Sequence, residues 1–289
     1  MKRLTFLFAI VLLNITAIQA NEYGRYYSNL PVSIPQPVVP TIPDNSVNIK
    51  DFGGVGDGVT LNTEAFRKAI SALDKQGGGR VVVPAGIWLT GLISLKDNIE
   101  LHIEKNAIVL ASPDRNLFIK DIDGKKDTKC TPLISASKRK NIAITGQGVI
   151  DGNGAMWRPV KRDKVSNTEW KEFLYMGGTQ TEGGKLWFPF DLKHYDNIAP
   201  TPEAQETMRT HLIRITDCEN VLVKDITLQN SPKFHLIPTR CKNVIVDGVT
   251  IRCPWNAQNG DALDISSCKD VLIVNNTIDA GDDGICMKA

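Results

Sequence analysis

Short β-branched runs recur along the second half of the chain at nearly constant intervals. Cys218-Glu-Asn-Val-Leu-Val-Lys-Asp-Ile-Thr-Leu, Cys241-Lys-Asn-Val-Ile-Val-Asp-Gly-Val-Thr-Ile and Cys268-Lys-Asp-Val-Leu-Ile-Val-Asn-Asn-Thr-Ile begin 23 and then 27 residues apart. Fainter copies start at Arg139 and surround Asn98. Each copy alternates apolar and polar positions, breaks at a polar pair and resumes briefly, which predicts strand, turn, strand. A period of this length built from short strands is that of a solenoid with one repeat per coil. Leucine-rich repeats share the period, but their spaced leucines and the helical stretches between strands are missing. A propeller blade would be longer, at about 40–45 residues. The fold class predicted is therefore all-β, a parallel β-helix, with strands of successive coils stacked about 4.8 Å apart.

Stacking explains which residues repeat. Cys218, Cys241 and Cys268 are predicted to fill one inward position as small apolar thiols, a disulfide between adjacent coils being the second reading. Asn98, Asn141, Asn220 and Asn243, with Asp270, are predicted to stack at a bend, where Asn and Asp accept left-handed backbone and hydrogen-bond along a ladder.

The N-terminal end of the solenoid needs a cover for its apolar rungs and unpaired edges. Val47–Asp51 reads as a strand, Gly53–Gly58 as a glycine loop and Thr63–Leu73 as a helix whose apolar face is Ala65, Phe66, Ala69, Ile70 and Leu73. Asn62 or Thr63 is expected to cap it. Strand, glycine loop and helix also suggest a nucleotide site. That reading fails, because G-x-G-x-x-G needs glycine where Val59 stands and a P-loop needs Lys-Ser/Thr after Gly58. Residues 152–208 interrupt the repeat and carry Trp157, Trp170, Phe173, Tyr175, Trp187, Phe188, Phe190 and Tyr195. A small satellite core is the expectation, a sugar-stacking wall the second reading.

Ahead of the repeat, Lys2-Arg3, the apolar run Leu4–Ile18 and small Ala20 read as an export signal over residues 1–20, shorter than a comfortable membrane span. Residues 21–45 hold five prolines and read as an extended leader; residues 46–289 form the domain. Export permits disulfides, but six cysteines in 289 residues are too few for a disulfide-dependent fold. The composition, 42% hydrophobic and 23% charged, is ordinary for a globular protein. A net charge of +2, with Lys2 and Arg3 in the signal, leaves no global field to collect nucleic acid or an anionic membrane, though a local basic patch is compatible with it.

The chemistry narrows by elimination. The four histidines (His102, His194, His211 and His235) form no H-E-x-x-H, no G-x-S-x-G is present, and the cysteines lack zinc-site spacing. Asp121, Asp123 and Asp127 resemble a calcium loop, but Gly124 falls too early and the twelfth position has no Glu. Carboxylates remain: Asn259-Gly-Asp261-Ala-Leu-Asp264 and Gly281-Asp282-Asp283-Gly284. From Asp261 to Asp282 is 21 residues, about one coil, so these groups should meet side by side. Carboxylates that close repel and raise at least one pKa, giving an acid beside a base, as glycoside hydrolysis requires. Spacing alone fits solvated turn carboxylates equally well.

Here the sequence resembles glycoside hydrolase family 28, the polygalacturonases. Asn259–Asp264 resembles that family's Asn-Thr-Asp-Gly-Ile-Asp, and Gly281-Asp-Asp-Gly-Ile-Cys-Met-Lys288 its Gly-Asp-Asp-Cys-Ile-Ala-Ile-Lys. Asp51–Thr60, Gly77–Gly86, Gly146–Trp157 and Asn230-Ser-Pro232 are also similar to its motifs. The resemblance implies a right-handed β-helix and an inverting hydrolase of α-1,4-galacturonosyl linkages. In it Asp282 is the general acid, and Asp261 and Asp283 hold and deprotonate the attacking water. It implies no metal and no cofactor. The partner it implies is a pectic polysaccharide or oligogalacturonide, met by an exported or periplasmic monomer that binds neither nucleic acid nor, once mature, membrane. Lys288 is expected to be structural or to support the carboxylates from behind. Gly260, Ala262 and Phe234 depart from the family pattern. The family's Gly-His-Gly and Arg-x-Lys lie downstream of its Asp pair, so a domain incomplete at its C-terminal end, weakly active or inactive by itself, is expected. A polysaccharide lyase on the same fold and a non-catalytic carbohydrate-binding β-helix are the alternatives; the lyase would need calcium.

Overall fold

A computed structural model describes residues 22–122, 125–191, 201, 206 and 208–289, side chains at 120–128 and 182 excepted. The export signal, Asp123 and Gly124 of the calcium-loop-like run, and His194 and Tyr195 lie outside the described residues. Residues up to Gln36 form one unit and Pro37 onward another. The described part of the first holds a single turn of 3-10 helix, Gly24–Tyr26, with the Tyr23 and Tyr26 rings stacked. No described helix is long and apolar enough to cross a membrane.

The second unit is a right-handed parallel β-helix. Nineteen of its described strands form three long parallel sheets of seven, six and six strands, through which the coils wind in turn; the other five form two small antiparallel sheets, one of Val160–Lys161, Thr179–Thr181 and Leu186–Phe188, the other of Ile119–Ile122 and Lys125–Cys130. One sheet stacks Ser46–Asn48, Gly79–Val83, Ile99–Ile103, Lys140–Thr145, Glu219–Lys224, Lys242–Asp247 and Lys269–Val274 in that order. The second runs from Gly86–Thr90 to Thr277–Asp279 and the third from Ile93–Ser94 to Ile285–Lys288. Register is fixed by the alternation of sides: a slip of one residue would turn every inward aliphatic to solvent. Val81, Leu101, Ile144, Val223, Val246 and Ile273 are successive partners in one such inward file.

Two files at the corner between the third sheet and the first answer the sequence directly. Asn98, Asn141, Asn220, Asn243 and Asp270 all have φ between 53° and 58°, the left-handed region. Each Asn amide donates to the oxygen of the Asn one coil earlier: Asn243 to Asn220 at 2.8 Å, Asn220 to Asn141 at 2.9 Å, Asn141 to Asn98 at 2.8 Å, and Asn98 to the Gly77 carbonyl at 3.0 Å. Beside them Cys218 and Cys241 are buried and Cys268 packs on the same core, with sulfurs bonded to backbone groups of their own and neighbouring coils. None of the six cysteines is in a disulfide.

The helix α1 (Thr63–Lys75) covers the first coil, and all five residues of its expected apolar face are buried. The expected cap is corrected. Asn62 stands at the N-cap position but makes no capping bond, because its side chain is occupied elsewhere. Its oxygen accepts from Val55 N–H at 2.7 Å, and its amide donates to the Val55, Thr60 and Leu89 carbonyls, pinning the glycine loop to the second sheet. The loop lies against the fully buried Trp88 ring: a Cβ on Gly54 or Gly56 would come within 3.0 Å of it. Close approach to an indole, and not to a phosphate, is what these glycines serve.

The interruption at 152–208 supports the satellite-core reading for most of its described aromatics. Helix α2 (Asn167–Tyr175) starts with a Ser166–Glu169 capping box, and Val160, Val165, Trp170, Trp187 and Phe173 form a cluster of their own. Trp157 departs from this pattern by joining the main core, edge-on to Phe118. Tyr175 is exposed.

The corner column yields a test. Asn220→Ala removes two ladder bonds and places a Cβ-bearing residue without local hydrogen bonding at φ 58°. It is expected to destabilise the fold by about 2–4 kcal/mol in chemical denaturation, while Asn220→Gly, free of the left-handed penalty, loses roughly 1–2 kcal/mol less.

Candidate active site

Two loops, each leading into a strand of the third sheet, bring the acidic residues together. Leu263–Ser266 pairs in parallel with Ile285–Lys288, Leu263 opposite Ile285. Continued back by two residues, that register sets Asp261 opposite Asp283 and leaves Asp282 beside them. The offset is 22 residues, one more than the distance to Asp282 suggests. The Ala262 N–H donates to the Asp283 carbonyl at 2.9 Å and Leu263 N–H to that of Gly284 at 3.2 Å, so backbone pairing extends to the carboxylates themselves. One oxygen each of Asp261, Asp282 and Asp283 lies within 4.8 Å of the others. Gly260, a departure from the family motif, has a local reason: a Cβ there would stand 3.0 Å from the Cys253 sulfur.

The three carboxylates differ in surroundings. Asp261 is 5% exposed, and its buried Oδ1 has no hydrogen-bond partner among the described residues. Burial, then the charges of Asp264 and Asp282, push its pKa up to about 6. Asp282 and Asp283 are exposed, and the Asp283 N–H closes onto Asp282 Oδ1 at 3.0 Å. Buried Asp264 points to the same place and is held by Lys288, whose Nζ donates to Asp264 Oδ2 at 2.6 Å and sits 3.8 Å from Asp261 Oδ2. Lys288 also lies over the Phe234 ring, 4.8 Å from its centroid. Its side chain returns to the carboxylates although its strand runs away from them, so it is the cation of the site.

Three more residues hold the site and escaped the sequence reading. His235 is fully buried. Its Nε2 accepts from Ser231 N–H at 3.3 Å, so Nδ1 carries the proton and donates to the Asp261 carbonyl at 2.9 Å. Burial lowers its pKa to about 4, which keeps it neutral in that role. Arg209 is buried and donates to the Pro232 and Gln258 carbonyls and to Asn259 Oδ1, fastening the Asp261 loop to the coil before it, with Glu206 as counter-charge. Arg158 does the same for Ser231 and Asn230, and burial lowers its pKa.

The raised pKa of Asp261 has a consequence for stability. The folded form holds this proton more tightly than the unfolded chain, whose carboxyl titrates near 3.8. Ionising it therefore costs folding free energy, absent below about pH 4 and full above about pH 6. Asp261→Asn is expected to raise the melting temperature more at pH 8 than at pH 4; an equal change at both would contradict this origin.

The chain is similar to known proteins. Residues 191–289 match the profile of glycosyl hydrolases family 28. A "Probable polygalacturonase" of Vitis vinifera is 32% identical over 257 residues, 85% of this chain and 44% of that one. An exo-poly-alpha-D-galacturonosidase of Dickeya chrysanthemi is 28% identical over 254 residues, 84% of this chain and 42% of that one. The crystal structure of a hyperthermoactive exopolygalacturonase from Thermotoga maritima matches with a TM-score of 0.65 at 32% identity, covering 88% of this chain and 56% of that one. The chain thus spans less than half the length of these two curated relatives. The profile match assigns the segment that carries the carboxylates, residues 191–289, to glycosyl hydrolases family 28, and the sequence kinship with polygalacturonases extends along most of the chain.

Proposed function

We propose that the protein is a glycoside hydrolase that cleaves α-1,4-galacturonosyl linkages of pectic polysaccharide or oligogalacturonide, outside the cytoplasm, as a monomer. The observation that carries this is the meeting of Asp261, Asp282 and Asp283 within 4.8 Å on adjacent coils. The polygalacturonase relatives favour it over the lyase and the non-catalytic alternatives.

Exposure supports Asp282 over Asp261 as the acid, and the register opposite Asp261 supports Asp283 as its partner on the water. A general acid must reach a glycosidic oxygen in the cleft, which exposed Asp282 does and buried Asp261 does not. Asp261 and Asp283, opposite one another, can grip a single water and take its proton. In so tight a cluster the proton that Asp261 holds in the free protein belongs to the group as a whole. Covering Asp282 with substrate removes its water and draws that proton to it. Lys288 and neutral His235 position the carboxylates, one through Asp264 and Asp261, the other through the Asp261 backbone.

The spacing favours a second stereochemical reading. An inverting pair usually stands about 6.5–9.5 Å apart and a retaining pair about 5–5.5 Å, close to the separation here. A third carboxylate changes the count, because two can hold the water while the other donates.

The tests are direct. On polygalacturonate, activity is expected to release reducing ends in the presence of a calcium chelator, and NMR of the first product should show the inverted anomer. A retained anomer would make one Asp a nucleophile. Asp282→Asn should lower kcat at least about 100-fold with the melting temperature unchanged. The rate should fall as pH rises above about 6, when the cluster loses its shared proton.

A further inference from the structure

Net charge gives no hint of it, yet cations gather on the N-terminal side of the carboxylates. The register Ile213, Leu236, Leu263, Ile285 puts His211, Phe234, Asp261 and Asp283 in one file along the solenoid axis, one coil apart. The adjacent file holds Lys233, one coil before Gly260. One coil is about 4.8 Å, close to the length of a pyranose unit, so a sugar chain lying along the axis meets one coil per residue.

Phe234 is half-buried, with the His211 ring 5.0 Å from its own and the ammonium groups of Lys233 and Lys288 at 5.6 Å and 4.8 Å from its centroid. His211 is kept neutral: burial, then Lys233, Arg214, Arg209 and Lys288, lower its pKa to about 3. It serves as an uncharged wedge under Phe234, not as another cation.

Lys233 is the unusual member. Its side chain is partly buried, and its amine feels the charge of the buried Arg209 guanidinium more strongly than the opposing charges of Glu206 and Asp261. Arg209 has Glu206, and Lys288 has Asp264. Lys233 has no ion-pair partner among the described residues; its close contact is the Phe234 ring. A desolvated ammonium beside another cation is costly to hold without an anion. Burial and Arg209 accordingly lower its pKa.

We propose that Lys233 is a specificity-determining residue that takes the carboxylate of the uronic acid unit bound one coil before the acid cluster, with the Phe234 ring, wedged by His211, as the floor of that subsite. This rests on the galacturonan reading above and adds where a uronate charge is read on the N-terminal side of the scissile bond. A uronate carboxylate supplies the anion that Lys233 lacks, and a methyl ester does not. The subsite therefore distinguishes free from esterified pectin at one defined position.

The experiment is a binding titration of the Asp282→Asn protein with trigalacturonate and with its fully methyl-esterified counterpart, repeated with Lys233→Met and Lys233→Gln added. Affinity for trigalacturonate is expected to fall about tenfold in both double variants, the loss of one charge-assisted hydrogen bond, while affinity for the ester stays within twofold. Trigalacturonate should also protect the Lys233 amine from reductive methylation, read by mass spectrometry. Unchanged trigalacturonate affinity in both double variants, or an unprotected Lys233 amine at saturating trigalacturonate, would overturn the subsite and leave the hydrolase reading standing. No trigalacturonate binding by the parent protein at millimolar concentration would overturn both.

Discussion

Everything in this molecule depends on the parallel register of one coil on the next. A backbone ladder about 4.8 Å deep fixes which residue of each coil lies beside which residue of its neighbours. The inward alternation of aliphatics then makes a slip of one position prohibitive. The same constraint that stacks Val81, Leu101, Ile144, Val223, Val246 and Ile273 in the core stacks His211, Phe234, Asp261 and Asp283 on the surface. The site is in this sense an exterior file of the ladder, and its acidity is a cost that the core's register imposes. Three carboxylates would separate if the backbone were free to move. Held by main-chain bonds at Ala262 and Leu263, they cannot, and burial, then the charges of Asp264 and Asp282, are expressed as a raised pKa at Asp261.

Whatever repeats was legible in the sequence. The Asn and Cys columns and the meeting of Asp261 with Asp282 and Asp283 follow from reading positions one coil apart as neighbours, and the helix over the first coil from the period of its own apolar face. What did not repeat was hidden. Asn62 read as a helix cap because it precedes Thr63, whereas its partners come from a loop and a strand far along the chain. Arg158 and Arg209 carry no local signature. Each is an isolated arginine whose carbonyl partners come together only once the coils are wound. Lys288 sits on a strand leading away from the site, and only the length of its side chain returns its charge to Asp264 and Asp261. His235, next to the Asn230-Ser-Pro232 motif, is the one that sequence position could have flagged. Its two ring contacts lie four residues away in its own coil and at the start of the next.

Charge was legible in sum and not in place. A balance near neutrality excluded a global field, but it is the local arrangement that matters: Lys233, Arg214 and Lys288 converge near His211, while the carboxylates that balance Arg209 and Lys288 are committed to them. Aromatic content, too, was legible in sum, as the expected satellite core, and not in its place beside the carboxylates. The interruption is rich in aromatic rings, yet Trp170, Trp187 and Phe173 pack on each other, and it is the single half-buried Phe234 on the regular coils that lies beside the carboxylates.

The asparagine column carries a chemical consequence beyond geometry. Its amides all point toward the N-terminal end, so the ladder has a polarity, and Asp270, with no amide hydrogens, ends it. Any asparagine that lost its amide nitrogen by ageing would break the chain of donors at that coil. Such deamidation proceeds when the backbone nitrogen of the next residue attacks the side-chain carbonyl, a step hindered by branching at the next Cβ. The residue after Asn98 and Asn141 is isoleucine, and after Asn220 and Asn243 it is valine. The branched strand residues that set the register on the inside of the wall thus also shield the amides at its corner from hydrolytic decay, and the column is durable for the same reason that it is aligned.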